Sequence, residues 1–501
     1  MRTKVSLGEV AFIRTGKLDA NAQDVNGKYP FFTCGEENLT INEPAFDTEA
    51  VLLAGNGNFS VKYYKGKFNA YQRTYVIEPN NVDGKWLYYL VSHHIAKITG
   101  SARGSTIKYL RISDITDCPV NLVSLNEQHR IVAKIEELFS ELDKGIEALK
   151  TAREQLKVYR QAVLKHAFEG KLTAKWREQN QDKLESPEQL LARIQQEREA
   201  HYQQQLQDWK AAVKAWEKKG KDEKKPSKPK QPKGITPISE NELSKLASLP
   251  NKWKWVPWEE ILEYGDDSFK RGPFGSALTK SIFVDAGYKI YEQYCPINDD
   301  PYFVRYYITP EKYEELIQFA VKEGDFLISC SGVTLGRITQ VPDDFEEGVI
   351  NQALLRLRLN RRILLDQFFV KFFRATYFQE RIFSKSQGAA IPNVKGVKEL
   401  KAIPVPLVPL KEQEKVIEKL DQYLSVLDEL DEQAILSLSK AETLRQSILK
   451  KAFSGQLVPQ DPNDEPASAL LERIRAEREE QPKKPRKAQR RKPLQKSVAH
   501  G

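Results

Sequence analysis

The chain has 501 residues and a mass of 57.5 kDa, which predicts two to four domains. With 40% hydrophobic residues it can form buried cores, but it contains no run of about 18 apolar residues and no apolar leader, so neither a membrane span nor a secretory signal is expected. The net charge is +9, and the four cysteines lack the spacing of a zinc site or a disulfide framework, so we expect reduced, mostly buried thiols and no bound metal.

Residues 1–121 and 251–406 are predicted to be two globular domains of the α+β class. Both contain many short β-branched and aromatic runs that Gly and Pro separate, and few long helices. Two stretches of the first domain, "AVLLAGNG" and "GSTIKYL", match "DFLISCSG" and "GAAIPNVK" of the second. These matches indicate that the two domains are versions of one fold.

Residues 122–217 and 407–480 are predicted to be two long helical repeats. Residues 122–172 and 407–457 are identical at 18 of 51 positions, where chance would give about three. Apolar residues recur at alternating steps of three and four, which is the seam of a coiled coil, so we expect the repeats to pair as an antiparallel, pseudo-two-fold coiled coil. The predicted helix-pairing residues are Ile135, Leu138, Leu142, Leu149, Leu156, Leu420, Tyr423, Leu427, Leu444 and Ile448.

Residues 218–250 are predicted to be a basic linker, and residues 481–501 a basic disordered tail. The stretch 218–234 has eight Lys and two acidic residues (+6), and the tail has eight Lys or Arg and no acidic residue (+8). Without these 14 charges the rest of the chain carries 9 − 14 = −5. The high pI therefore says little about the folded surface, and whether either segment contacts DNA stays open.

Catalytic motifs are missing from the sequence. No GxxxxGK[ST] phosphate loop, no [DNS]PP[YF] of amino-methyltransferases, no GxSxG and no HExxH occurs. Acidic pairs such as Asp299–Asp300 lie in polar, turn-like stretches that are typical of loops. The sequence predicts a chain that is not an enzyme.

The alternation of two variable domains with two repeated helices resembles the specificity (S) subunits of Type I restriction–modification systems. The stretches that carry the resemblance are "LVSLNEQHRIVAKIE" and "LVPLKEQEKVIEKLD" at the helix starts, "LKHAFEGKL" and "LKKAFSGQL" at their ends, and "LPNKWKWVPWEEI" and "RGPFGSAL" at the entry to the second domain. The resemblance covers about residues 5–217 and 249–480. The stretch 200–248 and the tail depart from the minimal family pattern.

This resemblance implies a division of labour among subunits. Each recognition domain would read one half of a bipartite, asymmetric site in double-stranded DNA, and the helices would set the spacer. Two methyltransferase subunits would dock on the helices and methylate adenine N6, and restriction subunits would join them. S-adenosylmethionine, ATP and Mg²⁺ would then be bound by those partners and not by this chain, in the cytoplasm of a prokaryote.

Base recognition in the major groove uses Arg or Lys on guanine and Asn or Gln on adenine. The first domain (1–121) has 14 basic and 12 acidic residues, and the second (252–406) has 21 of each, so we expect weak DNA binding by the chain alone. The candidate DNA-binding residues are Asn56, Asn58, Lys62, Arg103, Lys108, Lys270, Arg271, Lys280, Arg337, Lys385 and Lys395. A solvated surface role is the alternative for each.

Two further sets of residues have a structural and a functional interpretation. Gln72 and Gln352 fall in strand-like stretches, where a structural hydrogen bond competes with base contact. Residues Glu127, Gln128, Glu412 and Gln413 could anchor the helix starts or meet a partner, and we favour anchoring.

Two rival functions remain open at this point. A coiled-coil protein scaffold would confer no DNA sequence preference on any complex. An enzyme with unrecognised motifs would be active as an isolated chain.

Overall fold

The computed structural model of the chain describes residues 2–218, 225–229, 231, 234–265, 267–274, 277–332, 334–383 and 393–480. The disordered tail predicted for 481–501, and much of the basic stretch 218–234, lie outside the described residues. Two compact units are present: unit 1 comprises 1–152 and 433–501, and unit 2 comprises 153–432. Each unit contains both sheets and helices, which confirms the α+β class. The predicted domain borders stay predictions.

Unit 1 contains a six-stranded sheet and a separate pair of strands. The sheet has the order β2-β7-β5-β6-β3-β4, and β1 pairs with β8 in antiparallel fashion. The strands are β1 (Thr3–Ser6), β2 (Ala11–Thr15), β3 (Tyr29–Phe32), β4 (Leu39–Ile41), β5 (Phe46–Ala54), β6 (Val61–Ala70), β7 (Thr74–Pro79) and β8 (Pro119–Leu122). Residues 50–54 of β5 are all buried, because this central strand has packed side chains on both of its faces.

Three helices of unit 1 lie within the first recognition domain: α1 (Leu7–Val10), α2 (Gly84–Thr99) and α3 (Ile112–Thr116). The Asp83 carboxylate accepts the Trp86 N–H at 2.7 Å and so caps the start of α2. Helix α2 buries Trp86, Leu87 and Leu90 in the same core as Val51 and Ile77 of the sheet. The sheet thereby holds α2 in a fixed place.

The described residues of unit 2 form one four-stranded sheet, one three-stranded sheet and one pair of strands. Their orders are β10-β16-β13-β14, β12-β11-β15 and β17-β9. The strands are β9 (Lys254–Pro257), β10 (Phe269–Arg271), β11 (Tyr288–Tyr291), β12 (Tyr307–Ile308), β13 (Phe326–Ser329), β14 (Ile338–Gln340), β15 (Gly348–Ile350), β16 (Leu354–Leu357) and β17 (Pro404–Leu407). The pair of β9 with β17 aligns Val256 with Val405 as the pair of β1 with β8 aligns Val5 with Val120, so the repeat in sequence is also a repeat in structure.

The shorter helices of unit 2 frame its core. They are α5 (Ala174–Gln179), α6 (Pro187–Lys218), α7 (Glu240–Leu243), α8 (Tyr294–Asn298), α9 (Pro310–Glu315), α10 (Asp366–Phe373), α11 (Thr376–Ile382) and α12 (Val397–Lys401). Helix α10 buries four phenylalanines around Trp258 and Phe326. This aromatic core supports the four-stranded sheet.

Two long helices confirm the predicted repeats: α4 (Leu125–Phe168) and α13 (Leu410–Ser454). Within unit 1, Arg445 forms an ion pair with Asp143. Within unit 2, Arg153 pairs with Asp431 at 2.6 Å, and Arg160 pairs with Asp428. Residue numbers rise along α4 as they fall along α13, so the helices are antiparallel.

Of the predicted helix-pairing residues of α13, three are buried and two are exposed. Leu420, Leu427 and Ile448 are buried as expected. Tyr423 and Leu444 are exposed, which contradicts their assignment to the helix-pairing seam. The prediction steps from Leu420 by three residues and then by four. The helix instead buries positions at steps of four and then three, so that every second position is the same in both patterns. The positions between them differ, and Leu424, Asp431 and Arg445 face inward.

The helix-pairing prediction fits α4 better. Ile135 is buried, and Leu138, Leu142, Leu149 and Leu156 are half-buried. Phe139 occupies a seam position that the apolar spacing did not predict, and the Arg445 guanidinium lies 4.6 Å from its ring centroid.

Both long helices are followed within two residues by a glycine. Gly170 and Gly455 have φ values of 72° and 85°, which side chains with a Cβ rarely adopt. The N–H of the residue after each glycine donates to a carbonyl five residues back, at 2.9 Å in both cases. A final helix, α14 (Ala467–Glu480), packs its Leu470 and Ile474 into the unit 1 core.

The start of each long helix is anchored by the same two residue types. The Gln128 side chain accepts the Asp83 N–H at 2.8 Å and donates to the Val123 carbonyl at 3.0 Å. The Gln413 side chain accepts the Leu365 N–H at 2.8 Å and donates to the Val408 carbonyl at 2.7 Å.

The preceding glutamates are also paired inside the fold. Glu127 forms an ion pair with Arg2, and the fully buried Glu412 forms one with Arg177 at 2.8 Å. These contacts support the anchoring interpretation of all four residues.

Three of the four cysteines are buried, and all four are free thiols. Among the described residues, no group of three or more His, Cys, Asp or Glu side chains is arranged to hold a metal ion. No described helix is both long and apolar enough to cross a membrane.

Candidate nucleic-acid interface

Unit 1 presents a polar surface where the turn 55–60 meets the loop 101–111. The Leu110 N–H donates to the Gly55 carbonyl at 2.8 Å, and Asn56 forms an antiparallel bridge with Tyr109. Arg103 and Tyr109 exchange two backbone hydrogen bonds, at 3.0 and 2.8 Å. We call this surface the first turn–loop edge.

The first turn–loop edge brings together four of the five candidates in its domain. Asn58, Arg103 and Lys108 are exposed, and Asn56 is half-buried. Their guanidinium and ammonium groups can donate hydrogen bonds to phosphates and base edges, and their amide groups can both donate to and accept from base edges. Contact between these side chains and DNA stays a prediction.

Lys62 does something different. Its ammonium donates to the Gly35 carbonyl at 3.0 Å, the Glu36 carbonyl at 2.6 Å and the Asn38 side-chain oxygen at 2.9 Å. Burial lowers the pKa of this ammonium, although the negative charge of Glu36 acts in the opposite direction and raises it. These contacts tie the loop 35–38 to β6, which is a structural role.

Unit 2 repeats the arrangement with different side chains. The Val394 N–H donates to the Cys330 carbonyl at 3.1 Å, and Ser331 forms an antiparallel bridge with Asn393. The Arg271 guanidinium donates to the Asn393 side-chain oxygen at 2.8 Å. We call residues 271–274, 331–337 and 393–395, where described, the second turn–loop edge.

The candidates of the second domain divide between this edge and other places. Arg271, Arg337 and Lys395 belong to the second turn–loop edge. Lys270 points to the other face of β10, where its ammonium lies 5.6 Å from the Phe319 ring centroid. Lys280 is exposed in the short 3-10 helix Lys280–Ile282. Lys385 lies outside the described residues.

The sheet that carries the second turn–loop edge has a partly buried group of ion pairs at its opposite end, where β10 and β13 begin and β16 ends. The Arg356 and Arg358 guanidiniums, on β16 and just after it, contact Asp267, and Arg358 also pairs with Asp325 at 2.7 Å. Burial alone would raise the pKa of Asp267, but the two guanidiniums hold it below its usual value. Burial raises the pKa of the Cys330 thiol to about 12, so this thiol stays neutral beneath the edge. The ion pairs order the residues before β10.

The two glutamines singled out in the sequence lie in turns and not within strands, because β6 ends at Ala70 and β16 begins at Leu354. The Gln72 amide donates to the Asp19 carboxylate at 3.1 Å. A structural hydrogen bond therefore accounts for Gln72.

Sequence reasoning missed Tyr109, Asn393 and Phe274. Tyr109 and Asn393 hold equivalent places, each bridging to the second residue after a buried strand. The alignment of "GSTIKYL" with "GAAIPNVK" already places them opposite one another. Phe274 is an exposed aromatic residue beside Arg271, and a criterion based on polar readers excludes it.

Comparison with known proteins supports the same interpretation. A family model described as Type I restriction modification DNA specificity domain matches residues 3–151 and 275–440. The Type I restriction enzyme EcoDI specificity subunit of Escherichia coli is 33% identical over 485 residues, which cover 95% of this chain and 94% of that protein. The EcoBI specificity subunit of Escherichia coli is 23% identical, over 80% of this chain and 73% of that protein.

A solved structure shares the fold. It comes from work on complex assembly and conformational transition of the type I R-M system, and it matches with a TM-score of 0.55 and 18% identity. The match covers 91% of this chain and 98% of the solved one.

Proposed function

The chain belongs to the family of Type I restriction–modification DNA specificity proteins, and we propose that it is the non-catalytic subunit that selects the DNA sequence for such a complex. Each recognition domain binds one half of a bipartite, asymmetric site in double-stranded DNA. Long helices α4 and α13 set the spacing between the halves.

The observation that carries this proposal is the repeated turn–loop edge with changed side chains. Backbone bonds Leu110 to Gly55 and Val394 to Cys330 are equivalent. The bridging residues differ: Asn56 with Tyr109 in one domain, Ser331 with Asn393 in the other. Because the scaffold repeats and the exposed chemistry does not, the two half-sites are expected to differ in sequence.

The side chains at each edge favour particular bases. In the first domain, Asn56 and Asn58 each carry a side-chain amide, whose donor and acceptor together match an adenine edge. Arg103 and Lys108 carry donors for guanine or phosphate. In the second domain, Arg271 is oriented by its bond to Asn393, which favours a fixed contact with guanine or phosphate.

The long helices suit the spacing role. At 1.5 Å per residue the 44 residues of α4 span about 66 Å. One turn of B-DNA is about 34 Å, so a helix of this length extends over more than one turn. The seam ion pairs, such as Arg153 with Asp431, join the two helices in one register.

Methyltransferase subunits dock, in this proposal, on exposed apolar residues of the helices. Within unit 2, Tyr423, Val426 and Leu430 are exposed on α13 at steps of three and four, which places them on one helix face. Such a stripe on a charged helix is typical of a surface that a partner covers. Those partners supply adenine-N6 methylation with S-adenosylmethionine, and restriction subunits supply ATP- and Mg²⁺-dependent cleavage.

Co-expression tests the proposed function. The chain is expressed with the methyltransferase subunit of the same restriction–modification system in a host without adenine methylation, and N6-methyladenine is mapped across the genome. We expect a bipartite motif with a fixed gap that disappears when this chain is omitted. A complex that forms without any sequence motif would favour a protein scaffold, and methylation by this chain alone would show that it is an enzyme.

A further inference from the structure

Phe274 is a large apolar side chain that the fold leaves in solvent. It is 74% exposed, although the two residues before it are buried. A single exposed apolar residue is ordinary on a protein surface. The case for a contact therefore rests on the backbone that holds this ring and on the side chains beside it.

The backbone that carries Phe274 is held in place. The Gly272 N–H donates to the Leu354 carbonyl at 3.0 Å, and a Cβ at Gly272 would lie 1.9 Å from the Asn351 carbonyl oxygen. Only glycine fits this close approach. Pro273 is buried and restricts its own φ. Phe274 thus projects from a fixed base and has only two side-chain torsions to order on binding.

The ring is part of the second turn–loop edge. The Arg271 guanidinium lies 5.8 Å from the Phe274 ring centroid and donates to the Asn393 side chain at 2.8 Å. Asn393 in turn bridges to Ser331. An apolar ring, a guanidinium and an amide therefore stand side by side on one surface.

The major groove of DNA presents one apolar group among its polar base edges, the C5 methyl group of thymine. We propose that Phe274 contacts the methyl group of a thymine in the half-site of the second domain and so determines specificity at that position. This inference rests on the proposed function. Arg271, beside the ring, binds a neighbouring guanine or phosphate and fixes the approach.

Among residues 2–121, which the structure describes, no exposed aromatic ring holds the equivalent place. Gly16 makes the same close approach, since a Cβ at this glycine would lie 1.8 Å from the Ala70 carbonyl oxygen. Two residues after it stands Leu18, which is half-buried and bridges to Tyr71. Sensitivity to a methyl contact of the Phe274 kind is therefore expected in one half-site only.

The test uses the full chain in complex with its methyltransferase subunits and a duplex that carries the bipartite sequence found by methylation mapping. Each thymine of the two half-sites is replaced in turn by deoxyuridine, which removes only the methyl group. We expect one replacement, in one half-site, to weaken binding several-fold. Phe274→Ala weakens binding of the normal duplex by about tenfold, and the same replacement then costs nothing more.

Two control variants separate the ring contact from other effects. Phe274→Leu keeps an apolar group and retains most of the affinity. Tyr302→Ala removes another exposed aromatic residue of the same domain and leaves the affinity unchanged.

Several results would overturn the inference. The first is an affinity of Phe274→Ala for the normal duplex equal to that of the wild type. The second is no effect of any deoxyuridine replacement on binding by the wild-type complex. The third is a loss of binding from the replacement that adds in full to the loss caused by Phe274→Ala. Loss of methyltransferase subunits from the Phe274→Ala complex would assign the ring to a protein partner instead. If mapping finds no motif, the proposed function fails and the inference fails with it, whereas a normal motif with an indifferent Phe274 refutes the inference alone.

Discussion

Gln128 and Gln413 perform the same task at equivalent places in the two units. Each is fully buried at the start of a long helix, and each joins that helix to a helix of the adjoining recognition domain. Neutral amides suit this place because one side chain can accept and donate at once. The sequence pair Glu-Gln therefore marks the place where a recognition domain is attached to the start of a long helix.

Gln413→Ala is expected to lower the free energy of unfolding by about 2–4 kcal/mol. The change leaves the Leu365 N–H and the Ile363 and Val408 carbonyls without their partner inside the protein. Urea unfolding followed by circular dichroism measures the loss. Gln422→Ala, on the exposed face of the same helix, is the control and should change stability by less than about 0.5 kcal/mol. Equal effects of the two variants would contradict the anchoring role.

Individual readers are the least predictable part of the sequence. Four candidates of the first domain do lie together, because the turn and loop that carry them are joined by backbone bonds. Lys62 cannot be told from them in sequence, since its engagement with the loop 35–38 depends on a contact 24–27 residues away. Phe274 escapes prediction because apolar residues are assigned to cores.

At the level of elements, the helices are predicted closely and their seam only in part. The repeated helix starts and the terminal glycines define α4 and α13 from sequence, because caps and stops are local signals. The seam needs knowledge of the partner helix. Asp431 and Arg445 point inward because each finds an opposite charge on α4, a pairing that apolar periodicity does not reveal.

The observed seam predicts a contrast between two leucines of α13. Leu427 is 4% exposed, so Leu427→Ala should lower the free energy of unfolding by about 2–4 kcal/mol. Leu444 is 50% exposed, so Leu444→Ala should leave it within about 0.5 kcal/mol. Thermal or urea unfolding of the two variants decides between the seams, and a loss for Leu444→Ala as large as that for Leu427→Ala would restore the seam predicted from apolar spacing.

The segment after α13 is fastened by an ion pair that depends on pH. The Arg130 guanidinium donates to the Asp464 carboxylate at 2.6 Å, and the Ser124 hydroxyl donates at 3.1 Å. The hydrogen bond from Arg130 and, after it, that from Ser124 lower the pKa of Asp464 below its ordinary 3.8. The stabilisation is therefore complete above the unfolded-state pKa and is lost as pH falls through the lower, folded-state value.

We expect Asp464→Asn to be less stable than the wild type at pH 7 and to approach it at about pH 3. Urea midpoints of both proteins at the two pH values provide the measurement. Arg475, which pairs with Glu9 elsewhere in unit 1, offers a control, since Arg475→Gln should not change the pH dependence of the Asp464 effect. A stability difference that is the same at both pH values would contradict the role of the Asp464 charge.

For the molecule as a whole, its duplicated order explains how one chain can specify an asymmetric site. Each unit has its own core, its own strand pair and its own turn–loop edge, so the chemistry of one edge can change without disturbing the other. The duplication is visible in the sequence because the identical positions of the two repeats are concentrated at the starts and ends of the helices. The recognition domains diverge more, and their likeness is faint in the sequence and clear in the backbone bonds of the two turn–loop edges.

We propose that each recognition domain specifies one half of the DNA site independently of the other. Exchange of residues 1–121 for the corresponding domain of a related specificity subunit, followed by mapping of N6-methyladenine in the co-expression host, tests it most directly. We predict that one half of the motif changes, while the other half and the gap between them stay as they were. A motif that changes in both halves, or in neither, would show that the two domains do not specify the half-sites independently.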